Sequence, residues 1–319
     1  MGMQWEQLTP LHKDYILDKV LERLQGTFVG NMFIPERPVG NFEYSWLYYG
    51  EVGGMTPEVH ELDIGPLVNT AYEKRTSRID SYKERTRVSV FAREPYLIRN
   101  ASQDAINNLS NRAALRLEAL RIRAIVNGGF TSSDDKGYYW KDCDDDDSHW
   151  VGGTGIRSIR KDCFNAIRLM QQYAKMTPDT IIVSPEVATA VRESVELAEW
   201  QYSGPISQDI IKAGVLPGGR SLAEAYMGRL YGLDWFVVNA SILSDNENPR
   251  SPLVPLLDRD AYIFKRGEDL GALHVFQGIK IDEKDEVFSN AREYQISMMM
   301  KADIFRPQFI HSLINVVKA

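Results

Sequence analysis

The feature that most constrains the fold is one apolar stripe along an otherwise polar stretch from Asn100 to Val126. Asn100 and Gln103 resemble a capping box, and Gly128 follows the predicted end of the helix. At about 1.5 Å per residue such a helix spans roughly 36 Å, which is well above the usual helix length. We predict that it packs along one side only, through a stripe formed by Ile106, Leu109, Ala113, Leu117, Leu120 and Ala124.

An extended polar region precedes this helix. Alternating residues from Phe42 to Tyr48 predict a strand, and residues 72–91 alternate in the same way with polar residues on both faces. Between them, residues 50–70 are rich in glycine, proline and acidic residues, and a loop of this length in a compact domain is usually functional or mobile. A polar hairpin has little core of its own and is marginally stable alone. We therefore interpret this region as a hairpin that lies on another chain.

Two further helices are predicted to be amphipathic. Thr9, Pro10 and Gly26 bound the first of them, and we expect its loose apolar stripe to rest on a neighbouring chain. Thr154 is the predicted cap of the second helix, and its stripe consists of Ile156, Ile159, Cys163, Ile167, Met170 and Ala174.

The remaining elements mix helices and strands without regular βαβ units, which favours an α+β fold. Ser184 and Pro185 begin a helix that reaches about Ala198, and Ser221 and Glu224 form a capping box for a short one. Strands are predicted at 180–183, 233–238, 253–257, 261–264, 292–304 and 309–317.

The composition is that of a globular protein. Of 319 residues, 44% are hydrophobic and 25% charged, so the chain can bury a substantial core without disulfides or metals. Cys143 and Cys163 are too few for a disulfide framework. No apolar run approaches the length of a membrane span, and Met1–Leu8 lacks the basic flank and apolar stretch of a signal peptide, so we expect no membrane partner.

The formal net charge of −7 argues against a protein that grips DNA through its phosphates, because such proteins usually carry a basic surplus. It is compatible with a container whose walls repel DNA, and equally with many cytosolic enzymes. The stretch from Lys74 to Arg99 differs, since it holds eight lysine or arginine residues. It is either a solvated strand pair or a contact between subunits.

One acidic loop has part of the residue spacing of a calcium site. Asp142, Asp144 and Asp146 alternate like calcium ligands. Counted from Asp142, however, the sixth and twelfth positions hold Asp147 and Gly153, where an EF-hand loop needs glycine and glutamate. We interpret the segment 142–147 as a solvated acidic loop, and whether it binds an ion stays open.

Other candidate chemistry is sparse. Gly152, Gly153 and Gly155 precede a predicted helix and in principle cradle an anion, but their spacing matches no dinucleotide fingerprint and we interpret them as a helix-start turn. Cys143 and His149 lie close in sequence without completing a set of four metal ligands. We therefore predict no catalytic, cofactor-binding or metal-binding residues, and a protein that is not an enzyme. The rival is a cytosolic α/β enzyme with an unrecognised site, which the segment 180–238 would support.

The order of elements resembles that of the major capsid proteins of tailed phages, with the Hong Kong 97-type fold. The most typical stretches are TPDTIIVSPEVATAVRES at 177–194 and LYGLDWFVVN at 230–239, and the end of the chain at 290–316 is similar to the family's closing segment. The resemblance implies an N-terminal arm (1–40), an extended loop (41–72), a peripheral domain (73–154 and 266–319) with a spine helix (100–126), and an axial domain (155–265).

The resemblance also implies a function. Subunits would assemble as pentamers and hexamers into an icosahedral shell around double-stranded viral DNA, which is enclosed without sequence-specific binding. The implied location is the virion capsid, after assembly in the host cytoplasm, and the implied partners are portal, scaffold or decoration proteins. An encapsulin-type compartment that encloses a cargo enzyme remains an alternative with the same fold.

Some members of this family join their subunits covalently through a lysine on the extended loop and an asparagine on a neighbour. This chain has no lysine between Lys19 and Lys74. We therefore expect no cross-link of this kind through the extended loop.

Overall fold

The computed structural model describes residues 28–49, 72–89, 101–129, 140–144, 148–150, 155–194, 225–244, 251–286 and 291–318. Its strands are β1 (Glu36–Pro38), β2 (Glu43–Tyr49), β3 (Tyr72–Arg78), β4 (Asp80–Ser89), β5 (Trp140–Asp142), β6 (Ser148–His149), β7 (Gly155–Ile156), β8 (Thr180–Val183), β9 (Tyr226–Leu230), β10 (Leu233–Val237), β11 (Ser241–Leu243), β12 (Leu253–Pro255), β13 (Ala261–Phe264), β14 (Gly271–Glu286), β15 (Ala291–Ile304) and β16 (Ile310–Ile314). Its helices are α1 (Gly30–Phe33), α2 (Ala101–Gly128), α3 (Ile159–Leu169), which a π-helical turn at Met170–Ala174 continues, and α4 (Pro185–Glu193). The mixed α+β architecture is as predicted.

A four-stranded sheet with the order β1-β14-β15-β4 forms one layer. Strands β14 and β15 make a long antiparallel ribbon, and β4 pairs with β15 from Ser89 opposite Ala291 to Asp80 opposite Met300. The short strand β1 runs parallel to β14 at the other edge. Helix α2 packs on this sheet, where Leu109, Ala113 and Leu117 are buried.

A six-stranded sheet with the order β5-β16-β13-β8-β10-β9 forms the second unit of the core. Its central strands β8 and β13 are buried at every residue, which explains their short apolar sequences. The buried side chains of α3 and α4 belong to the same hydrophobic core. The predicted domain boundaries at 154/155 and 265/266 divide this sheet. Strands β8, β9, β10 and β13 lie within residues 155–265, whereas β5 and β16 lie outside them.

The long helix has nearly the predicted bounds, but the prediction that it packs along one side only was wrong. Besides the predicted stripe, a second set of positions is buried, including Glu118, Arg121, Ile122 and Ile125. Glu118 and Arg121 contact the segment 29–36, so α2 is covered on this side as well as on the side that packs on the sheet. The sequence showed one narrow apolar stripe because the second set of buried positions includes charged residues.

The interpretation of residues 72–91 as a hairpin lying on another chain was wrong for its second half. Strand β4 pairs with β15 of its own chain along its whole length. Of its inward side chains, Tyr82, Glu84, Thr86 and Val88, only Val88 is aliphatic. Two of the others reach α2: Glu84 pairs with Arg112 at 2.5 Å, and the guanidinium of Arg116 lies over the ring of Tyr82. A face of this mixed composition gives little apolar periodicity to detect.

The start of the second amphipathic helix was also predicted wrongly. Ser158 is the N-cap and accepts a hydrogen bond from the backbone N–H of Lys161, so the helix begins at Ile159. Ile156 pairs with His149 in a two-stranded parallel bridge instead. By contrast, Ser184 caps α4 as predicted, accepting from the backbone N–H of Val187.

The stripe on α2 generates a test. Replacing Leu117, which is 2% exposed, by Asp should lower the free energy of unfolding by roughly 3–5 kcal/mol, because a core leucine is lost and an unpaired carboxylate is buried. Urea denaturation followed by circular dichroism measures the loss. Asn111→Asp, at an exposed position of the same helix, is the control and should change the value by less than about 0.5 kcal/mol. A wild-type curve for Leu117→Asp would refute the assigned packing face.

Candidate assembly site

Two segments are attached to the body formed by the two sheets and α2. The first is residues 28–39, which we call the N-terminal strap. The second is the hairpin of β2 and β3, in which Glu43 lies opposite Arg78 and Tyr49 opposite Tyr72. The predicted first helix at 9–26, the loop 50–70 and the capping box at Ser221 fall outside the described residues.

The N-terminal strap enters the core through Phe33. This ring is fully buried and meets Phe236 and Phe264 of the six-stranded sheet edge to face, with centroids 5.3 and 5.2 Å away. Aromatic pairs of this geometry contribute about 0.5–1.5 kcal/mol beyond their burial. A few residues later, β1 joins the four-stranded sheet, so the strap contacts both sheets.

The strap is also bound to α2 through a buried carboxylate. Glu118 is 1% exposed, and its Oε1 and Oε2 accept hydrogen bonds from the backbone N–H groups of Val29 (3.1 Å) and Gly30 (2.9 Å). Burial raises the pKa of Glu118 to about 7, although these two hydrogen bonds and the charge of Arg121 oppose the shift. Both acceptor atoms of Glu118 are therefore engaged by adjacent amides of the strap.

Arg121 provides a second link between α2 and the strap. Its side chain is fully buried, and its Nη2 donates to Oε1 of Glu36 on β1 at 2.7 Å. Burial lowers the pKa of Arg121, and the neighbouring carboxylates of Glu36 and Glu118 act against that shift. Its Nε and Nη1 are buried without a hydrogen-bond partner among the described residues. The strap thus covers the buried side chains of Glu118 and Arg121, and it contributes the half-exposed Glu36 as a partner of Arg121.

The hairpin is bound to the body by a polar cluster around Asp303 of β15. Tyr44 and Ser77, one from each hairpin strand, donate hydrogen bonds to its two carboxylate oxygens, and Nδ1 of His274 lies 3.3 Å from Oδ2. Burial opposes the ionised form of Asp303, but the hydrogen bonds from His274 and Tyr44 outweigh it and lower its pKa. Burial and the contact with Asp303 raise the pKa of Tyr44, which keeps the phenol neutral.

This cluster contains Ser, His and Asp but lacks the arrangement of a hydrolase. In a catalytic triad the histidine lies between the serine and the aspartate and takes the proton from the serine. Here Asp303 lies between Ser77 and His274, so neither group activates the other. Aromatic contacts complete the attachment, with Trp46 5.3 Å from Phe305 between centroids. The arrangement fixes the base of the hairpin.

The outer face of β4 carries an uninterrupted set of cations. Lys83, Arg85 and Arg87 alternate along the strand, and all three are exposed. Arg87 donates to the largely buried Glu293 of β15, through Nε at 2.9 Å and Nη2 at 2.5 Å. We call these three residues the cationic strip. The basic stretch from Lys74 to Arg99 therefore includes one strand, β4, whose outer face carries three exposed cations at alternate positions.

Asp142, Asp144 and His149, which were considered for metal binding, lie near one another, with Nε2 of His149 3.5 Å from Oδ1 of Asp144. Oδ1 of Asp142 accepts hydrogen bonds from the backbone of Asp144 and the side chain of Asn315, and Asp146 lies outside the described residues. Within the described ranges, no three His, Cys, Asp or Glu side chains are grouped to bind a metal. Gly155 lies in β7 instead of at a helix start, whereas Gly152 and Gly153 are not described.

Glu118 and Arg121 were missed by sequence analysis. The available signal was their position, since they lie three residues apart within a stretch of α2 that is otherwise rich in leucine, alanine and isoleucine. Charges at such spacing are ordinary on an exposed helix face, so the pattern alone does not separate a buried pair from a solvated one. None of the helices in the described ranges combines the length and apolar character that a membrane span requires.

No protein-family model matches this sequence, and no curated protein matches it. Among solved structures, a phage-related protein of Bordetella bronchiseptica matches with a TM-score of 0.63 at 12% identity, over 99% of both chains. The capsid of cyanophage P-SCSP1u matches with a TM-score of 0.57 at 12% identity, over 91% of this chain and 88% of that one. The encapsulin of Synechococcus elongatus matches with a TM-score of 0.54 at 12% identity, over 99% and 92%. The chain therefore has the fold of phage capsid and related shell proteins.

The contact between Gly30 and Glu118 generates a test. Gly30→Ala should destabilise the protein by about 1–3 kcal/mol through overpacking. The new Cβ would lie 2.7 Å from Oε2 of Glu118 and 3.0 Å from Cβ of Arg121. Thermal unfolding measures the effect, with Gly40→Ala as the control, because a Cβ at Gly40 meets nothing within 4 Å. Equal melting temperatures for the two variants would mean that the strap does not rest on α2 as described.

Proposed function

We propose that this protein is the major capsid protein of a tailed double-stranded DNA virus, with the Hong Kong 97-type fold. The observation that carries the proposal is a fold match to a cyanophage capsid over 91% of this chain and to a phage-related protein over 99% of it. The proposed role is structural, with pentamers and hexamers of this chain closing an icosahedral shell in the virion.

We propose the following domains for this fold. Residues 1–40 are the N-terminal arm and 41–72 the extended loop. Residues 73–154 and 266–319 form the peripheral domain, in which the helix at 100–126 is the spine, and 155–265 form the axial domain. In support, β2 and β3 pair as the two sides of the extended loop, and β14, β15 and β4 form one continuous sheet under the long helix.

The proposed contact between subunits is electrostatic in part. Residues 50–71 contain no lysine or arginine and four acidic residues: Glu51, Glu58, Glu61 and Asp63. Their charge is complementary to that of the cationic strip, so the loop of one subunit would pair with the strip of another. One exposed pair contributes only about 0–1 kcal/mol, but the contact would be repeated at every interface and weakened by salt.

DNA would be enclosed without sequence-specific contacts. The net charge of −7 disfavours tight binding to phosphates over the protein as a whole. A portal, a scaffold or a decoration protein would be the further partners, and assembly would take place in the host cytoplasm. Because residues 20–73 contain no lysine, the shell would rely on packing and charge pairs instead of lysine–asparagine cross-links through this loop.

A second candidate function is an encapsulin-type shell around a protein cargo. The match to the encapsulin of Synechococcus elongatus over 99% of this chain favours it specifically. The contents of purified particles discriminate the two, since a capsid encloses DNA and an encapsulin a cargo enzyme. A cytosolic enzyme, the candidate from another class, would elute as a small oligomer.

The proposed function predicts that copies of this chain assemble into particles. Negative-stain electron microscopy of the full chain, purified from virions or co-expressed with assembly factors, should show closed shells or capsomers. Boiled particles should give one band near 36.3 kDa in denaturing electrophoresis, because no cross-link is expected. A monodisperse monomer under every such condition contradicts the proposed function, and a ladder of covalent multimers contradicts the absence of cross-links.

The extended loop provides a separate prediction. Deleting Val52–Leu67 should leave a folded subunit that does not close a stable shell, because the acidic partner of the cationic strip is lost. Circular dichroism measures folding and electron microscopy measures assembly. A variant with the same residues replaced by a glycine-serine linker of equal length is the control for loop length, and it should fail in the same way. Normal particles from either variant would exclude the loop as the contact.

A further inference from the structure

Helix α3 and the turn that follows it concentrate positive charge in an acidic protein. Residues 157–178 contain five lysine or arginine side chains and one aspartate, a net charge of +4, so the rest of the chain carries −11. Arg160, Lys161, Phe164 and Arg168 of this segment are all exposed. Residues 160, 164 and 168 are spaced by four and residues 161 and 168 by seven, so the four side chains share one side of the helix. We call this side the basic face.

The one carboxylate of α3 is turned away from the basic face. Asp162 is 6% exposed, and it accepts hydrogen bonds from Nε1 of Trp150 at 2.9 Å and from Nε of Arg157 at 2.6 and 2.5 Å. Its charge is therefore balanced inside the protein, and the basic face is left with cations alone. Within the part of the chain that the structure describes, neither Lys161 nor Arg168 forms an ion pair.

The stability of the helix does not explain where these cations lie. Ser158 is the N-cap, so Arg160 and Lys161 belong to the first turn, where the helix dipole disfavours positive charge. The guanidinium of Arg160 lies 5.7 Å from the centroid of the Phe164 ring, which holds it across the face.

The basic face has a firm support. Ile159, Cys163 and Ala166, on the other side of the helix, are buried in the core. At the far end of the face, Nη2 of Arg168 donates to Oδ1 of the exposed Asn165 at 2.9 Å. The exposed cations are thus presented from a fixed helix.

We propose that the basic face binds the phosphate backbone of double-stranded DNA without reading its sequence. Lysine and arginine clustered along one side of a helix are typical of phosphate contacts, and amide side chains such as that of Asn165 also donate to phosphates. A face with charge of one sign suits a polymer that carries only the other sign, and the acidic remainder of the chain disfavours DNA elsewhere. The choice of DNA as the polyanion rests on the proposed function, and in a shell this face would point towards the enclosed DNA.

Fluorescence anisotropy of a short labelled DNA duplex, mixed at low salt with unassembled subunits of the full chain, tests the proposal. The double variant Lys161→Gln, Arg168→Gln should weaken binding by roughly tenfold for any duplex sequence. It should also lower the slope of log K against log salt concentration by about 2, because two phosphate contacts are lost. The double variant Lys83→Gln, Arg85→Gln removes the same charge from the exposed cationic strip and is the control. Its affinity should stay within about twofold of the wild type, and circular dichroism should show both variants folded.

Three results overturn the inference: no binding of the wild type at low salt, an equal loss of affinity in the two double variants, or tighter binding of polyglutamate than of DNA. The last result would make the basic face a contact for an acidic protein surface. Because the assay uses unassembled subunits, its failure is distinguishable from a failure of the proposed function. Subunits that form shells but do not bind DNA overturn this inference alone, and subunits that bind DNA but form no shells contradict the shell function alone.

Discussion

Burial of the N-terminal strap is the interaction on which the rest of the structure depends. Helix α2, the four-stranded sheet and the six-stranded sheet all contact it, through Glu118, β1 and Phe33 respectively. Burying an aromatic side chain contributes about 1.5–3 kcal/mol, and a hydrogen bond to a charged group contributes a similar amount. The apolar core and the buried carboxylate therefore both stabilise this junction.

The buried charged side chains are better explained by the specific alignment of the strap on α2 than by a gain in the free energy of folding. A buried ion pair often contributes no more than well-packed apolar residues would, because desolvation offsets the attraction. Glu118, however, accepts from two consecutive amides, and one of them belongs to a glycine that leaves no room for a Cβ. Moving the strap by one residue along α2 would place a side chain where only Gly30 fits. The polar cluster thereby selects one alignment of an otherwise apolar contact.

The sequence predicts those parts of the fold that have a clear apolar pattern or a capping residue. The bounds of α2, the strand Thr180–Val183 and the Ser184 cap all follow from periodicity or capping chemistry. Strand β14 was not predicted, because Ile279 and Ile281 are followed only by charged residues, DEKDE, and the strand is completed by its pairing with β15. The buried pair of Glu118 and Arg121 was missed for the related reason that charge normally indicates exposure. Both features depend on contacts between residues that are far apart in the chain, and a local sequence pattern does not reveal such contacts.

Strand β14 has a consequence for contacts between separate copies of the chain. Strand β1 covers its outer edge only at Leu273–Val275, and no other described strand pairs with that edge further along. Two breaks in register follow between Val275 and Lys280, and the exposed Lys280 comes after them. Irregularities and lysines on an edge prevent unrelated strands from adding to it. This broken edge therefore disfavours the addition of a strand from another copy of the chain, and so opposes the joining of free chains into fibres.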